Sequence, residues 1–236
     1  MLLLAHRGAS ADAPENTLAA FTEAVAQGAD GVELDVMRCG SGELVVCHDE
    51  RLSRLAGVDW EVAATPYWKL RHADVGSRLG FAPARIPLLE EVVEALPAHF
   101  VLNVELKCES ADDQGLAVAA GAYLTRAGLT ERVVVSSFNA LSLFRLAKAF
   151  PRLRRGYLLD PDKSHLWHAG LLLPLVASYS VHPSDSACTP ARVRAWHQRG
   201  LEVAVWTVDS PRRAAELETW GVDYLITNQP RRLRVR

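Results

Sequence analysis

Short apolar segments rich in β-branched residues alternate along the chain with longer segments rich in Ala, Leu and Arg. The short segments have the length of buried strands, and the longer ones repeat apolar residues at the helical period. Such alternation is typical of repeated βα units around a parallel sheet. The pattern predicts strands at residues 2–6, 31–36, 43–48, 100–106, 132–136, 156–159, 175–182, 202–208 and 223–227.

Helices are predicted between most of these strands, at residues 15–27, 88–96, 112–127, 140–150, 190–199 and 211–220. Pro14, Pro190 and Pro211 lie where a first helical turn tolerates proline, which has no N–H to donate. Glycine follows several of the helices, as is common where a helix ends in the left-handed conformation. The positions of Pro and Gly therefore support the predicted elements.

At 236 residues, 49% of them apolar, the chain has the size of one α/β barrel, and we predict a single domain over residues 1–236. The candidate strands outnumber the eight of such a barrel, and residues 37–42 are too few for a crossover helix. We therefore expect a somewhat distorted TIM-type (β/α)8 barrel with one irregular unit. Residues 51–86 follow the third predicted strand and interrupt the alternation, which predicts a long loop or small cap over the barrel mouth.

The charge balance excludes several classes of partner. Lys and Arg number 26 and Asp and Glu 28, so the net charge of -2 offers no basic field for nucleic acid or for stable membrane association. The apolar start reaches His6 and Arg7 too soon for a signal-peptide core, so we expect a cytoplasmic protein. The scattered cysteines suit a reducing compartment. The composition is compatible with a homo-oligomer without specifying one.

Polar residues stand at the C-terminal ends of many predicted strands. Where strands are parallel, these ends share one face of the barrel, and the loops that follow them build the active site. We therefore expect residues from separate parts of the sequence to converge there. The strand ends carry His6, Arg7, Glu33, Asp35, His48, Glu105, Lys107, Phe138, His182 and Trp206.

Glu33 and Asp35 are two residues apart on one strand, so their side chains share the inner face of the barrel. Glu105 adds a third carboxylate from a later strand. Three buried carboxylates repel one another unless they are protonated or neutralised, and one divalent cation neutralises them economically. Oxygen ligands favour a hard ion, so the sequence predicts one Mg²⁺ or Ca²⁺ ion rather than zinc. The alternative for each carboxylate is an ion pair with Arg or Lys.

His6 and His48 are predicted to flank whatever the metal holds. Imidazole titrates near neutral pH, as a general acid or base must. Arg7 and Lys107 bring positive charge to the same mouth, where a guanidinium forks around phosphate oxygens and an ammonium acts as a point charge. Both cations have an alternative role as partners of the carboxylates, and the two roles are compatible.

Five other residues have a structural alternative. His182 is a candidate substrate contact or supporting group, or else an ordinary hydrogen-bonded histidine. Phe138 and Trp206 are candidates for an apolar wall beside the substrate, or else belong to the barrel core. Glu15 and Asn16 are candidates for the site, although opening a helix is sufficient reason for residues of these types.

These residues occur within longer motifs, among them AHRG at residues 5–8, PENTLAAF at 14–21, GADGVELDV at 28–36, HD at 48–49, LNVELK at 102–107, SSF at 136–138, SVH at 180–182, VWTVD at 205–209 and GVDYLITNQP at 221–230. Through them the chain resembles the bacterial cytoplasmic glycerophosphodiester phosphodiesterases over nearly its whole length. The resemblance implies a distorted TIM barrel with one divalent cation held by Glu33, Asp35 and Glu105. It also implies that Arg7 and Lys107 bind the phosphate.

The resemblance implies that His6 and His48 are the acid/base pair, without assigning which is acid and which is base. The glycerol hydroxyl beside the ester would attack phosphorus while one histidine takes its proton and the other protonates the departing alcohol. Water would then open the cyclic phosphate. The predicted activity is hydrolysis of glycerophosphodiesters, such as glycerophosphocholine or glycerophosphoethanolamine, to sn-glycerol 3-phosphate and an alcohol.

Two alternatives keep the same site or the same fold. The enzyme could act on lipid substrates, either as a lysophospholipase D or as a lyase that stops at the cyclic phosphate. A non-catalytic phosphate-binding barrel is disfavoured, because such a protein should have lost part of the acid/base and metal-ligand set. That set is complete in this sequence.

Overall fold

The structure of the protein is a computed structural model that describes residues 1–159 and 173–234. The strands in this part of the chain are β1 (Leu2–His6), β2 (Gly31–Arg38), β3 (Leu44–Val46), β4 (Val101–Leu106), β5 (Val133–Ser137), β6 (Arg154–Leu159), β7 (Ser180–Pro183), β8 (Glu202–Val205) and β9 (Tyr224–Thr227).

Every strand except β3 belongs to one closed parallel barrel. The ring runs β1-β2-β4-β5-β6-β7-β8-β9, and the pairing of β9 with β1 closes it. Each neighbouring pair in the ring is parallel. The predicted (β/α)8 barrel is therefore confirmed.

β3 is the irregular unit that the short link predicts. It runs antiparallel to the end of β2, with Val46 opposite Val36 and Leu44 opposite Arg38, and lies outside the barrel. The chain between the two strands is too short for a helix, so it reverses direction in a hairpin. As a result, β2 extends beyond the barrel rim and β3 returns toward it.

The helices in the described chain are α1 (Leu18–Ala26), α2 (Ser53–Ala56), α3 (Tyr67–Leu70), α4 (Leu89–Ala95), α5 (Leu116–Arg126), α6 (Ala140–Ala149), α7 (Pro190–His197), α8 (Pro211–Thr219) and α9 (Pro230–Arg234). All six predicted helices are present: three begin at the predicted residue, and the other ends differ by one to four residues. The short helices α2, α3 and α9 were not predicted.

The predicted start of α1 was wrong. The hydroxyl of Thr17 accepts a hydrogen bond from the backbone N–H of Ala20, which makes Thr17 the N-cap. Asn16, just before it, has a φ of 57° and cannot belong to the helix. Pro14 therefore precedes the helix rather than occupying its first turn.

Three predicted strands, at residues 43–48, 175–182 and 202–208, each included at least three residues outside the observed strand, and the first spans only Leu44–Val46. The strand expected at residues 175–182 begins only at Ser180, because Ala177 has a φ of 46° that no strand accommodates. The strand expected at residues 202–208 ends at Val205, and Trp206 retains only an isolated bridge to Ser184. Regular pairing in the sheet therefore stops just before Trp206.

Side chains alternate between the two faces of the barrel wall. On β2, the odd positions from Gly31 to Asp35 point inward, whereas Val32 and Leu34 pack outward against the helices. A small apolar cluster of Leu4, Ala204, Tyr224 and Ile226 fills part of the interior. The polar inward residues are thus held between an apolar interior cluster and the open rim.

Residues 51–86 form α2, α3 and two short 3-10 turns over an apolar cluster that they share with the β2–β3 hairpin. Leu52, Leu55, Val62, Leu70 and Ile86 are buried in that cluster. The insertion therefore rests on the hairpin. That it covers the barrel mouth stays a prediction.

Across residues 1–159 and 173–234, no helix is both long enough and apolar enough to cross a bilayer.

Gly156 of β6 provides a test of packing inside the barrel. A Cβ at this position would lie 2.3 Å from Nε2 of His182 on β7. We expect Gly156→Ala to lower the free energy of unfolding by about 1–3 kcal/mol, as overpacking does. Measured by urea unfolding, the decrease in the free energy of unfolding caused by Gly156→Ala should be smaller in a His182→Ala background, where the clashing ring is gone. An equal cost in both backgrounds would contradict this packing.

Candidate active site

The three predicted metal ligands meet at the barrel mouth. Glu33 and Asp35 lie on β2 and Glu105 on β4, and the strand register sets Asp35 beside Glu105. All three are buried, and one carboxylate oxygen from each lies within 4.8 Å of the others. Residues separated by about seventy positions thus form one cluster because parallel strands end together.

The carboxylates do not ionise equally well. Burial, followed by the charges of Asp35 and Glu105, raises the pKa of Glu33 well above its ordinary value. Burial and the charge of Asp35 raise the pKa of Glu105 to about 7. Burial alone would raise the pKa of Asp35, but the charges of Arg7 and Lys107 lower it below its ordinary value. Full ionisation of the cluster therefore requires additional positive charge.

Arg7 and Lys107 supply part of that charge. Nε of Arg7 lies 3.2 Å from Oδ2 of Asp35, and its backbone N–H donates to Oε2 of Glu33 at 3.0 Å. Nζ of Lys107 donates to Oε1 of Glu105 at 2.9 Å and lies 3.8 Å from Oδ1 of Asp35. Both cations therefore pair with the carboxylates, the alternative role that the sequence allowed, while remaining at the cavity surface.

The cluster fits a hard divalent cation. With every side chain ionised, three carboxylates against two cations leave one uncompensated negative charge. Oε1 of Glu33 is buried and has no hydrogen-bond partner among the described residues. The candidate ligands are carboxylate oxygens, the donors that Mg²⁺ and Ca²⁺ prefer.

His6 ends β1 and is fixed through its Nδ1 atom. Nδ1–H donates to Oδ1 of Asn228 at 2.7 Å, and Asn228 is held by two 2.8 Å hydrogen bonds to Asp209. An amide oxygen only accepts, so the proton lies on Nδ1. Nε2 then points toward the carboxylates, 3.9 Å from Oε2 of Glu33. Burial and the charge of Arg7 lower the pKa of His6.

His48 is fixed in the same way but reaches the site by another route. Its Nδ1–H donates to Oδ1 of Asp49 at 2.7 Å, which leaves Nε2 for the cavity. We expected His48 at the mouth because we predicted it to end a parallel barrel strand. That expectation was wrong, because the strand before His48 is antiparallel to β2. Antiparallel β3 returns the chain to the rim, and Cys47 N–H donates to the carbonyl of Asp35 at 3.0 Å.

A cavity of about 220 Å³ opens between these groups. Phe138 and Trp206 stand on its side, edge to face, with ring centroids 5.7 Å apart. The indole N–H of Trp206 donates to the carbonyl of His182 at 2.8 Å and fixes the ring. The cavity is lined by His6, Arg7, Glu33, His48, Asn103, Glu105, Lys107, Phe138, Leu158, Trp206 and Ile226.

His182 does not line this cavity. Its ring is buried beside Gly156, and Nε2 lies 2.8 Å from Oγ of Ser180. Burial lowers the pKa of His182 to about 3, so the ring is neutral. The structure thus disfavours a direct contact with substrate, and His182 supports Trp206 through its backbone carbonyl.

Several site residues were missed or left undecided by the sequence. Asn16 donates from Nδ2 to Oδ2 of Asp35 at 2.8 Å, and Glu15 accepts from Nη1 of Arg7 at 2.9 Å, so both belong to the site. Asn103 lines the cavity with a buried Oδ1 that has no partner in the described chain. Its position two residues before Glu105 on one strand was the signal that could have found it.

The backbone before α1 is shaped for this site. Arg7 has a φ of 55° and Asn16 a φ of 57°, and the N–H of Asn16 donates to the carbonyl of Arg7 at 2.9 Å. Left-handed backbone at non-glycine residues is costly and recurs at functional sites. Here it directs both residues toward Asp35.

A parallel barrel with carboxylates, two cations and two oriented histidines at its C-terminal rim defines a class of protein. It is a barrel enzyme whose site is suited to binding a cation and transferring protons at a bound anion. Comparison with known proteins gives the family within that class.

The Glycerophosphoryl diester phosphodiesterase family profile matches residues 6–232. A glycerophosphodiester phosphodiesterase of Caldanaerobacter subterraneus is 35% identical over 235 residues, covering 98% of this chain and 96% of the relative. A glycerophosphodiester phosphodiesterase of Bacillus altitudinis is 32% identical over 236 residues, covering 98% of this chain and 95% of the relative. The chain belongs to the glycerophosphoryl diester phosphodiesterase family, and it is an enzyme.

Solved structures agree in fold. A phosphodiesterase of Oleispira antarctica in complex with the product sn-glycerol-3-phosphate is 30% identical, with a TM-score of 0.85 over 99% of this chain and 95% of that one. A glycerophosphodiester phosphodiesterase of Agrobacterium tumefaciens is 29% identical, with a TM-score of 0.83 over 99% of this chain and 98% of that one. Both share the barrel nearly from end to end.

The repulsion among the carboxylates predicts how a cation affects stability. Restoring Mg²⁺ or Ca²⁺ to chelated protein should raise Tm, because a ligand that binds only the folded state stabilises it by about 2.7 kcal/mol at one hundred times its Kd. Glu33→Gln should lose this rise yet be no less stable than the wild type without cation, because one repelling charge is gone. Differential scanning calorimetry measures both.

Glu131→Gln is the control, because Glu131 is exposed and lies just before β5, at the end of the barrel opposite the cluster. It should show the wild-type rise in Tm. An equal rise in the Glu33→Gln variant would contradict the assignment of Glu33 as a ligand.

Proposed function

We propose that this enzyme hydrolyses glycerophosphodiesters, such as glycerophosphocholine or glycerophosphoethanolamine, to sn-glycerol 3-phosphate and an alcohol. The observation that carries the proposal is the matched orientation of His6 and His48. Each ring is held by an acceptor oxygen at Nδ1, at 2.7 Å in both cases, and each ring lines the same cavity. Two proton-transfer groups therefore face one anion site.

Glu33, Asp35 and Glu105 are the residues that would hold one divalent cation, Mg²⁺ or Ca²⁺. When bound, the cation polarises a phosphoryl oxygen and lowers the pKa of the attacking hydroxyl. Its two positive charges would change the local balance of carboxylates, Arg7 and Lys107 from minus one to plus one. A phosphodiester of charge minus one then neutralises the site.

Arg7 and Lys107 bind and orient the phosphate in this proposal. Both line the cavity while contacting the carboxylates, so each can bridge a ligand residue and a phosphate oxygen. The guanidinium of Arg7 is held at Nη1 by Glu15, which limits its motion. Binding the phosphate between fixed groups lowers the entropic part of the barrier.

The histidines move the protons at Nε2. One Nε2 accepts the proton of the glycerol hydroxyl that attacks phosphorus, while the other, protonated, gives its proton to the departing alcohol oxygen. The roles reverse when water opens the cyclic phosphate ester, which returns both rings to their starting states. Phe138 and Trp206 form the apolar wall against which the glycerol carbons lie.

Substitution of the histidines tests the reaction. We expect His6→Ala and His48→Ala to lower kcat by about 100- to 10,000-fold, because each removes a proton-transfer group. The assay is release of sn-glycerol 3-phosphate from glycerophosphocholine with saturating cation, with circular dichroism to verify folding. His72→Ala, at an exposed histidine of the insertion, should match the wild type.

Product analysis by ³¹P NMR separates the alternatives. Accumulation of sn-glycerol 3-phosphate supports the hydrolase, whereas a persistent cyclic ester identifies a lyase. Conversion of lysophospholipids but not of glycerophosphocholine identifies a lipid substrate. Wild-type turnover by either folded histidine variant would refute acid/base catalysis by the pair.

A further inference from the structure

Arg54 lies on α2, in the insertion that follows β3, and binds two carboxylates at once. Its Nε and Nη2 atoms donate to Asp49 at 2.7 and 3.0 Å. Its Nη1 and Nη2 atoms donate to Glu15 at 3.0 and 2.7 Å. Paired N–H groups on one planar guanidinium fix direction as well as distance, so Arg54 sets the positions of both carboxylates.

Each of these carboxylates holds a residue of the proposed catalytic site. Asp49 accepts from Nδ1 of His48 at 2.7 Å, and Glu15 accepts from Nη1 of Arg7 at 2.9 Å. A continuous set of hydrogen bonds therefore runs from His48 through Arg54 to Arg7. It joins a proton-transfer group and a phosphate-binding group that line the same cavity.

We propose that Arg54 is a positioning residue: by holding Asp49 against His48 and Glu15 against Arg7, it couples the insertion at residues 51–86 to the catalytic geometry. This inference rests on the proposed function, in which His48 transfers a proton and Arg7 binds the phosphate. Arg54 does not line the cavity in the described chain, so it acts through its partners.

Electrostatics explains why the positive charge of the Arg54 guanidinium matters at this position. Nη2 of Arg54 bonds both Oδ1 of Asp49 and Oε1 of Glu15, so it separates two negative groups. Without it, Asp49 and Glu15 would repel each other across the position that Nη2 occupies. Each would move away from the residue that it orients. His48 would then lose the acceptor that fixes its proton on Nδ1.

Stability alone does not account for this arrangement. The side chain of Arg54 is 44% exposed, whereas those of Asp49 and Glu15 are 19% and 16% exposed. A solvent-exposed ion pair typically contributes under about 1 kcal/mol to folding, because water and salt screen it. Misplacing a catalytic group by about 1 Å costs on the order of 100-fold in rate. The effect of Arg54 should therefore appear in catalysis far more than in stability.

Arg51 is a matched control, three residues earlier in the same insertion. It also pairs with two carboxylates, at 2.6 Å to Asp59 and 3.2 Å to Glu61, and is 50% exposed. Neither partner lines the cavity between the histidines in the part of the chain that the structure describes. Arg51→Gln therefore removes an arginine of similar exposure, with partners that are 73% and 51% exposed, without touching the site.

The experiment measures kcat and KM of the full-length enzyme on glycerophosphocholine with saturating Mg²⁺ or Ca²⁺. We expect Arg54→Gln to lower kcat/KM by roughly 10- to 100-fold, in line with a misplaced catalytic group. Arg54→Lys, which keeps the charge without the fork, should lie between Arg54→Gln and the wild type. Arg51→Gln should stay within about twofold of the wild type.

Two readouts separate positioning from general structural damage. The ¹⁵N shifts of His48 should show the Nδ1–H form in the wild type and in Arg51→Gln, and a mixture of tautomers in Arg54→Gln. The factor by which Arg54→Gln lowers kcat/KM should also be smaller in an Asp49→Asn background. The effects of substitutions at residues that act through one another are not additive. Arg54→Lys provides the same comparisons if Arg54→Gln fails to fold.

Equal activity of Arg54→Gln and Arg51→Gln would overturn the inference, and so would unchanged ¹⁵N shifts of His48 in Arg54→Gln. It would also be overturned if Arg54→Gln lowered kcat/KM by the same factor with and without the Asp49 carboxylate. His48→Ala distinguishes this failure from failure of the proposed function. An inactive His48→Ala with a fully active Arg54→Gln refutes only the role of Arg54. Wild-type turnover by His48→Ala refutes the acid/base role of His48 on which the inference rests, and absence of sn-glycerol 3-phosphate release by the wild type refutes the proposed function itself.

Discussion

The repulsion among Glu33, Asp35 and Glu105 is the constraint on which the rest of the site depends. Three buried carboxylates within 4.8 Å of one another are tolerated only with positive charge and hydrogen-bond donors around them. Arg7, Lys107 and the amide of Asn16 supply part of this, and the left-handed backbone at residues 7 and 16 brings two of the three into place. One negative charge remains uncompensated, and a bound divalent cation would more than neutralise it.

The second constraint is geometric. A barrel strand can deliver a residue to the rim only at its own end, and β1 delivers His6 in this way. His48 enters from outside, because β2 overshoots the rim and β3 brings the chain back to the level of Asp35. The hairpin therefore places the second histidine without using another barrel strand. The insertion that packs on the hairpin is consequently well placed to influence His48.

The parts of this molecule that follow from local patterns were predicted from the sequence. Strand alternation and the helical period depend on neighbours, so they located the barrel, the inward pair Glu33 and Asp35, and the later Glu105. Element ends were less accurate, because side-chain caps and left-handed residues decide them. Thr17 at the start of α1 is an example.

The support around the histidines was not predictable in the same way. Asn228 lies 222 residues from His6 in the sequence, and no periodicity links them. Arg54 bonds Glu15 across 39 residues, in a segment whose short helices carry little pattern of their own. His182, whose role the sequence left open, shows that a polar residue at a strand end does not necessarily line the cavity. The expected convergence of strand ends at one face of the barrel identified the site. Only the three-dimensional contacts distinguish the reactive groups from the groups that hold them in place.

The most direct test of the account is release of sn-glycerol 3-phosphate from glycerophosphocholine and glycerophosphoethanolamine by chelated enzyme, before and after Mg²⁺ or Ca²⁺ is restored. Because the three carboxylates require a cation to be ionised together, we predict no release after chelation and recovery when the cation returns. Undiminished release by the fully chelated enzyme would contradict the account, as would the absence of release with any cation from protein shown to be folded.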